Sequence, residues 1–269
     1  MLITLDAGHY GKYNQSPSVK EYYESQFNWK MVNYMKECFE KYNIQVRLTR
    51  SNINKDLNVF DRGYMAKGSY MFISIHSNAC DSPSVDYPVV IRGFNEPSTN
   101  ALALSLAKLI AKIMDTRQEG KTYTRKKVNS NEEYYGVLRG ARNANVKYRY
   151  IIEHSFHTNK KSALFLLKDE NIKKLAYEEC QLIAEYLGYD KLVGQSAAGK
   201  KYIARVIVEN LNVRKKADWN AKPCEVVHYG DAFQIVEEVE AKNGTVKMFK
   251  LKSGLYITAH KKYVQAFYQ

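Results

Sequence analysis

Tyr70-Met71-Phe72-Ile73-Ser74-Ile75-His76 is an apolar run of strand length that ends on a histidine, and two other runs repeat its design. Leu2-Ile3-Thr4-Leu5-Asp6 leads directly into Ala7-Gly8-His9-Tyr10-Gly11, where the glycines permit a tight turn after the strand. Tyr148-Arg149-Tyr150-Ile151-Ile152-Glu153 ends on a glutamate. Parallel strands place their carboxyl ends on one sheet edge, where ligands bind in open α/β folds. The three polar side chains His9, His76 and Glu153 can therefore meet.

Working outward, residues 1 to about 188 alternate short apolar runs with longer segments of helical period. This is the pattern of an α/β domain with a largely parallel twisted sheet flanked by helices. Strands are predicted at 2–6, 44–49, 70–76, 87–92 and 147–153, and helices at 24–42, 56–67, 98–115 and 171–187, with Gly188 placed to end the last. Residues 189–200, including Val193-Gly194-Gln195-Ser196-Ala197-Ala198-Gly199, are small, polar and unpatterned and read as a linker. From 201 to 269 the texture changes to short β-type runs at 201–208, 225–229, 232–239, 245–251 and 255–258. Turn signals at Asn243-Gly244 and Ser253-Gly254 separate them. That stretch predicts a small all-β barrel.

Composition narrows the class. With 45% hydrophobic and 26% charged residues in 269, the chain has the make-up of a folded globular protein rather than a disordered one. A formal charge of +13 implies attraction to a polyanion, be it nucleic acid, an anionic membrane surface or an acidic wall polymer. Both parts are basic: residues 189–269 carry 14 Lys and Arg against 8 Asp and Glu. The four cysteines, Cys38, Cys80, Cys180 and Cys224, lack CxxC spacing and read as reduced thiols. The opening residues read as a strand rather than a signal peptide, and no run approaches a membrane span, so synthesis as a soluble cytoplasmic protein is expected.

Two imidazoles and a carboxylate are a frequent ligand set for catalytic zinc, with a fourth position open to water or substrate. His9 and His76 supply the imidazoles. Glu24, at the expected start of the first helix, and Glu21, about one turn upstream, both compete for the carboxylate position. Glu153 suits a different role, that of a carboxylate off the metal that takes a proton from the attacking water. A lone histidine after a strand is more often structural than a ligand, so the weight lies on the convergence. His154 and His157 read as structural, because alternation along the strand end points His154 away from Glu153. His228 and His260 have no partner at metal-ligand spacing. The Arg125-Lys126-Lys127 run reads as a solvated face, with a grip on anionic wall polymer as its functional alternative.

Four motifs, taken in order, carry a resemblance. Asp6-Ala7-Gly8-His9-Tyr10-Gly11, Glu24-Ser25-Gln26-Phe27-Asn28, Ser74-Ile75-His76-Ser77-Asn78-Ala79 and Glu153-His154-Ser155-Phe156-His157-Thr158-Asn159 resemble those of zinc-dependent N-acetylmuramoyl-L-alanine amidases. The resemblance spans about residues 1 to 185. It implies one zinc per chain on His9, Glu24 and His76, choosing Glu24 over Glu21, and it implies Glu153 as the catalytic glutamate. Its substrate would be peptidoglycan, cut between N-acetylmuramic acid and L-alanine. Arg62 matches an arginine frequent in that family, and Tyr10 stands where a glycine is frequent, which reshapes the cleft rim. Glu209-Asn210-Leu211-Asn212-Val213-Arg214 resembles the opening of bacterial SH3-like wall-binding domains, with Tyr256 in place of a tryptophan common near their end.

The expectation is therefore a zinc amidase domain at 1–188, a linker at 189–200 and an SH3-like wall-binding domain at 201–269. A wall hydrolase without a signal peptide resembles phage endolysins; a secreted bacterial autolysin is the other source. Two different functions compete. One is another zinc hydrolase, a carboxypeptidase or deacetylase. The other is a basic binding protein for a polyanion, although no nucleic-acid motif supports it. Some of the 22 tyrosines are expected to line a glycan-binding surface, since aromatic faces pack against sugars.

Overall fold

The computed structural model describes residues 1–189 and 202–268, so nearly all of the expected linker lies outside the described residues. The chain divides into two compact units, 1–193 and 194–269.

In the first unit the elements are β1 (Leu2–Ala7), α1 (Glu24–Lys41), β2 (Gln45–Leu48), α2 (Val59–Tyr64), β3 (Met71–Asn78), β4 (Val89–Arg92), α3 (Asn100–Met114), β5 (Lys121–Tyr123), α4 (Gly136–Asn143), β6 (Tyr148–Phe156), α5 (Lys160–Leu167) and α6 (Asp169–Tyr186). The six strands run in the order β2-β1-β3-β6-β4-β5. β2, β1, β3 and β6 are mutually parallel, so the strands that carry His9, His76 and Glu153 do end on one edge. β4 runs antiparallel to β6, and β5 follows β4. The reason lies in the connection from β3 to β4, which spans only residues 79–88 and contains no helix. A parallel crossover needs a dozen or more residues, so a link this short brings the chain back in the opposite direction.

Alternation along the strands sorts side chains onto two faces. Ile3, Leu5, Met71, Ile73, Ile75, Tyr150 and Ile152 face one core with Phe27, Met31 and Met35 of α1, Leu106 and Ile110 of α3, and Leu175 and Ile183 of α6. Phe72, Val89, Ile91 and Ile151 face a smaller core closed by Val137, Leu138 and Ala141 of α4. Close packing of α2 on α4 depends on Gly63 and Gly140, since a Cβ at Gly140 would lie 2.0 Å from the Phe60 carbonyl oxygen. The strands also outrun their predicted ends. β3 continues past His76 and β6 past Glu153, with a register shift between them where Ser155 adopts a left-handed φ of 56°. That bulge re-aims the chain beside the site.

The second unit holds β7 (Tyr202–Val206), β8 (Asn210–Arg214), β9 (Pro223–His228), β10 (Ala232–Val239), β11 (Met248–Leu251), β12 (Tyr256–Thr258) and β13 (Val264–Tyr268). Their order is β13-β7-β10-β11-β12-β8-β9, around a core of Val206, Leu211, Val213, Ile235, Phe249, Ile257 and Val264. The unit is all-β as expected and its sheet is antiparallel, but among the described residues it does not close into the expected barrel. β9 stays at one edge, mostly exposed, and begins at Pro223, which has no amide to offer a further strand.

Candidate metal centre

The loop that follows β1 is built by long-range contacts. The Gly8 amide donates to the Ile75 carbonyl at 3.1 Å, and a Cβ at Gly8 would lie 2.1 Å from the His76 imidazole, so glycine is what lets that ring sit over the loop. His9 takes a left-handed φ of 58°, a costly conformation for a residue with a side chain. Two buried arginines hold it there. Arg62 donates to the carbonyls of Ala7 at 2.8 Å and His9 at 3.1 Å, and Arg50 donates to Ala7 at 3.0 Å. Burial and the neighbouring Arg62 charge push the Arg50 guanidinium down to about 10.

Glu24 is the first residue of α1 and is almost fully buried. Its Oε1 lies 2.9 Å from His76 Nδ1 and accepts from the Ser77 amide at 3.2 Å. Its Oε2 lies 3.2 Å from His9 Nε2 and accepts from Asn14 Nδ2 at 2.6 Å. One donor atom from each of His9, Glu24 and His76 falls within 4.8 Å of the others. Glu21 is exposed, outside this group. The electrostatics match the geometry. Burial raises the Glu24 carboxyl, but hydrogen bonds from His76 and His9 outweigh it and hold the group well below the ordinary carboxylate range. Burial pushes the His76 imidazole down, yet the Glu24 hydrogen bond and charge outweigh this and lift it to about 9. Without a metal, His76 and Glu24 thus form an ion pair.

Behind His76 runs a second chain of contacts. His76 Nε2 lies 3.1 Å from Ser74 Oγ, and the Ser74 hydroxyl donates to Asp6 Oδ2 at 2.7 Å. Asp6 Oδ1 accepts from Thr49 at 2.6 Å and from Arg62 at 3.4 Å. The outer ring nitrogen of His76 is therefore committed to the protein, which leaves Nδ1 facing Glu24. A fixed outer partner of this kind orients a ligating imidazole and sets its tautomer.

Glu153 stands opposite His76 in the β3–β6 ladder. Its Oε2 is buried and has no hydrogen-bond partner among the described residues. Burial, opposed by the His76 charge, raises the carboxyl to about 7. A carboxyl at that value can accept and return a proton near neutral pH.

The other histidines are accounted for by contacts. His154 Nε2 lies 2.8 Å from Glu179 Oε1 and its Nδ1 3.1 Å from the His76 carbonyl, with Phe27 edge-on at 5.1 Å. His157 sits against Ser77 and Tyr22. His228 Nδ1 lies 3.2 Å from the Glu209 carbonyl. In the second unit, His260 lines an open cleft of about 490 Å³ with Trp219, Gly244, Thr258, Lys262 and Tyr263. In the first, the Arg125 guanidinium lies over the Tyr134 ring at 3.7 Å. Sequence reasoning missed Asn14, Arg50 and Ser74 and drew nothing from Arg62. Only Ser74 carried a signal, since it shares a strand face with His76.

The donor set fits a divalent cation. Two imidazoles and one carboxylate converge, and Gly8 leaves the space that the His76 ring needs; a bound cation would take the place of the proton that His76 shares with Glu24.

The chain is similar to known proteins in sequence and in fold. Residues 3–185 match the family described as N-acetylmuramoyl-L-alanine amidase. The endolysin of Bacillus phage SPP1 is 32% identical over 277 residues, covering 98% of this chain and 97% of that protein. Among solved structures, the catalytic domain of CwlV, an N-acetylmuramoyl-L-alanine amidase from Bacillus (Paenibacillus) polymyxa var. colistinus, superposes with a TM-score of 0.57 at 22% identity. It covers 70% of this chain and 98% of that one. The N-acetylmuramoyl-L-alanine amidase of Clostridium difficile 630 gives a TM-score of 0.59 at 21% identity, over 70% and 96% of the two chains. At these identities the two structures speak for the fold.

Proposed function

Given that the chain belongs to the N-acetylmuramoyl-L-alanine amidase family, a peptidoglycan hydrolase family that is generally zinc-dependent, we propose that it works through one zinc ion held by His9, Glu24 and His76. The observation that carries this reading is the meeting of one donor atom from each of those three residues within 4.8 Å, beside Glu153, whose Oε2 is buried and has no hydrogen-bond partner among the described residues. When bound, zinc supplies Lewis acidity, acidifying water and polarising the scissile carbonyl.

The chain's own residues do the rest. Glu153 takes the proton of the attacking water and delivers it to the departing amine of L-alanine. Ser74 and Asp6 hold His76 with Nδ1 presented inward, and Arg62 and Arg50 hold the His9 loop against its conformational cost. Asn14 orients the second oxygen of Glu24.

The second unit, with its bounds at 201–269, serves on this reading as an SH3-like module that keeps the enzyme on the wall. The Trp219–Tyr263 cleft and the basic charge support that role. The whole follows the pattern of an endolysin, matching the phage SPP1 relative across nearly its full length. Product analysis tests the reaction. Digestion of purified walls frees the α-amine of L-alanine without new reducing sugars; release of acetate or of single C-terminal residues would instead mark a deacetylase or a carboxypeptidase.

A further inference from the structure

Two tyrosines next to the candidate metal centre supply no donor atom to it. Tyr13 lies face to face with the His9 imidazole, with ring centroids 4.9 Å apart and planes 16° from parallel. Tyr10 stacks on Tyr13 at 6.1 Å and 25°. As residues, Tyr10 and Tyr13 are 40% and 49% exposed, so both reach the surface beside the centre.

The loop that bears them is fixed. The Tyr13 amide donates to Ser25 Oγ at 2.8 Å, and Ser25 Oγ donates to the Gly11 carbonyl at 2.8 Å. The Gly11 amide donates to Ile53 at 2.7 Å, with Gly11 at a left-handed φ of 55°, and the Glu24 amide returns to Asn14 at 3.0 Å. The backbone that carries the rings is therefore tied to the fold ahead of binding, and little of its conformational freedom is lost when a ligand lands on them.

We propose that Tyr10 and Tyr13 form a platform for a sugar ring of the glycan strand, on the N-acetylmuramic acid side of the scissile amide. The proposal rests on the amidase reading. It follows from what lies on each side of that bond. On one side is L-alanine, which offers only a methyl group. On the other, the sugar is joined to the scissile carbonyl by the short lactyl ether, so a pyranose sits within about a ring's width of the reacting carbon. A pyranose presents a flat C–H face and a rim of hydroxyls, the complement of a tyrosine's apolar face and polar tip. Tyr13 ties the platform to His9, and Tyr10 extends it along the strand.

The test uses the full-length zinc-loaded enzyme and a soluble disaccharide–tripeptide as substrate. The peptide-free disaccharide and the free tripeptide serve as separate inhibitors. Tyr10→Ala, which spares the ring touching His9, is expected to keep wild-type zinc content and kcat. Its KM should rise roughly fivefold and inhibition by the disaccharide should weaken by a similar factor, the scale of one lost aromatic contact. Inhibition by the tripeptide should not move, and Tyr10→Trp should restore the sugar affinity. Unchanged inhibition by the disaccharide, or equal weakening for both inhibitors, would overturn the platform. A wild-type enzyme that releases no tripeptide would instead overturn the amidase reading on which it rests.

Discussion

Ser74→Ala removes one oxygen and tests whether the chain behind His76 tunes the metal site. In the native protein Ser74 Oγ faces His76 Nε2 at 3.1 Å and donates to Asp6 Oδ2 at 2.7 Å, and both Ser74 and Asp6 are fully buried. Alanine leaves the outer N–H of His76 without an acceptor and one Asp6 oxygen without a donor. A buried polar group stripped of its partner costs about 1–3 kcal/mol. Asp6 retains Thr49 and Arg62, so its share falls at the low end. Loss of an outer partner of a ligating histidine typically weakens metal binding about 10- to 100-fold, or about 1.4–2.7 kcal/mol. The assay is zinc titration of the apoprotein against a competing chelator, with circular dichroism to verify the fold. Thr49→Val is the control: it takes a donor from the other oxygen of Asp6, so it should lower stability while zinc affinity stays close to wild type. Equal zinc affinity in Ser74→Ala and wild type, or an equal loss in Thr49→Val, would refute the reasoning.

The His76–Glu24 pair makes the metal-free protein sensitive to pH. His76 is raised to about 9, so its contribution to apoprotein stability is full below the unfolded value of about 6.5 and is lost as pH rises through 9. Glu24 is lowered, so its contribution is present above about 4.3 and is lost as pH falls into the acid range. Melting curves of the apoprotein should therefore decline between about pH 6.5 and 9, and calorimetry in buffers of different ionisation enthalpy should show zinc uptake releasing a proton that disappears above pH 9. His154→Ala strands Glu179, whose Oε2 already lacks a partner. Breaking a buried pair of this kind costs about 3–5 kcal/mol, which should lower the melting temperature by roughly 10 °C in a unit of this size.

The strand-end rule placed His9, His76 and Glu153 on one edge because apolar runs mark buried strands and their ends are sharp in the sequence. Spacing alone left Glu21 and Glu24 both open. In three dimensions the difference is plain, since α1 begins at Glu24 and turns that carboxylate inward while Glu21 stays in water. The arginine clamp was invisible for a physical reason. Arg50 and Arg62 look like surface residues by composition, and their burial depends on carbonyls 42 to 55 positions away. β5, α4 and α5 were not predicted, being elements of 3, 8 and 8 residues whose formation relies on packing more than on local pattern. The open edges of the second unit escaped notice as well: β8 and β13 were not among the predicted strands, and although the first and last strands, β7 and β13, do pair, β13 and β9 are left at the edges, a pairing order that strand candidates alone do not give.

Glu153→Gln tests the central claim most directly, because it keeps the shape of the side chain and removes only its ability to take a proton. The measurement is zinc content together with the rate of L-alanine amine release from purified walls. The expected result is one zinc per chain, an unimpaired melting temperature because a neutral amide replaces a buried carboxyl, and a rate lower by about 100- to 10,000-fold. A Glu153→Gln protein that binds zinc and still cleaves the amide near the wild-type rate would contradict the assignment of Glu153 and the mechanism built on it.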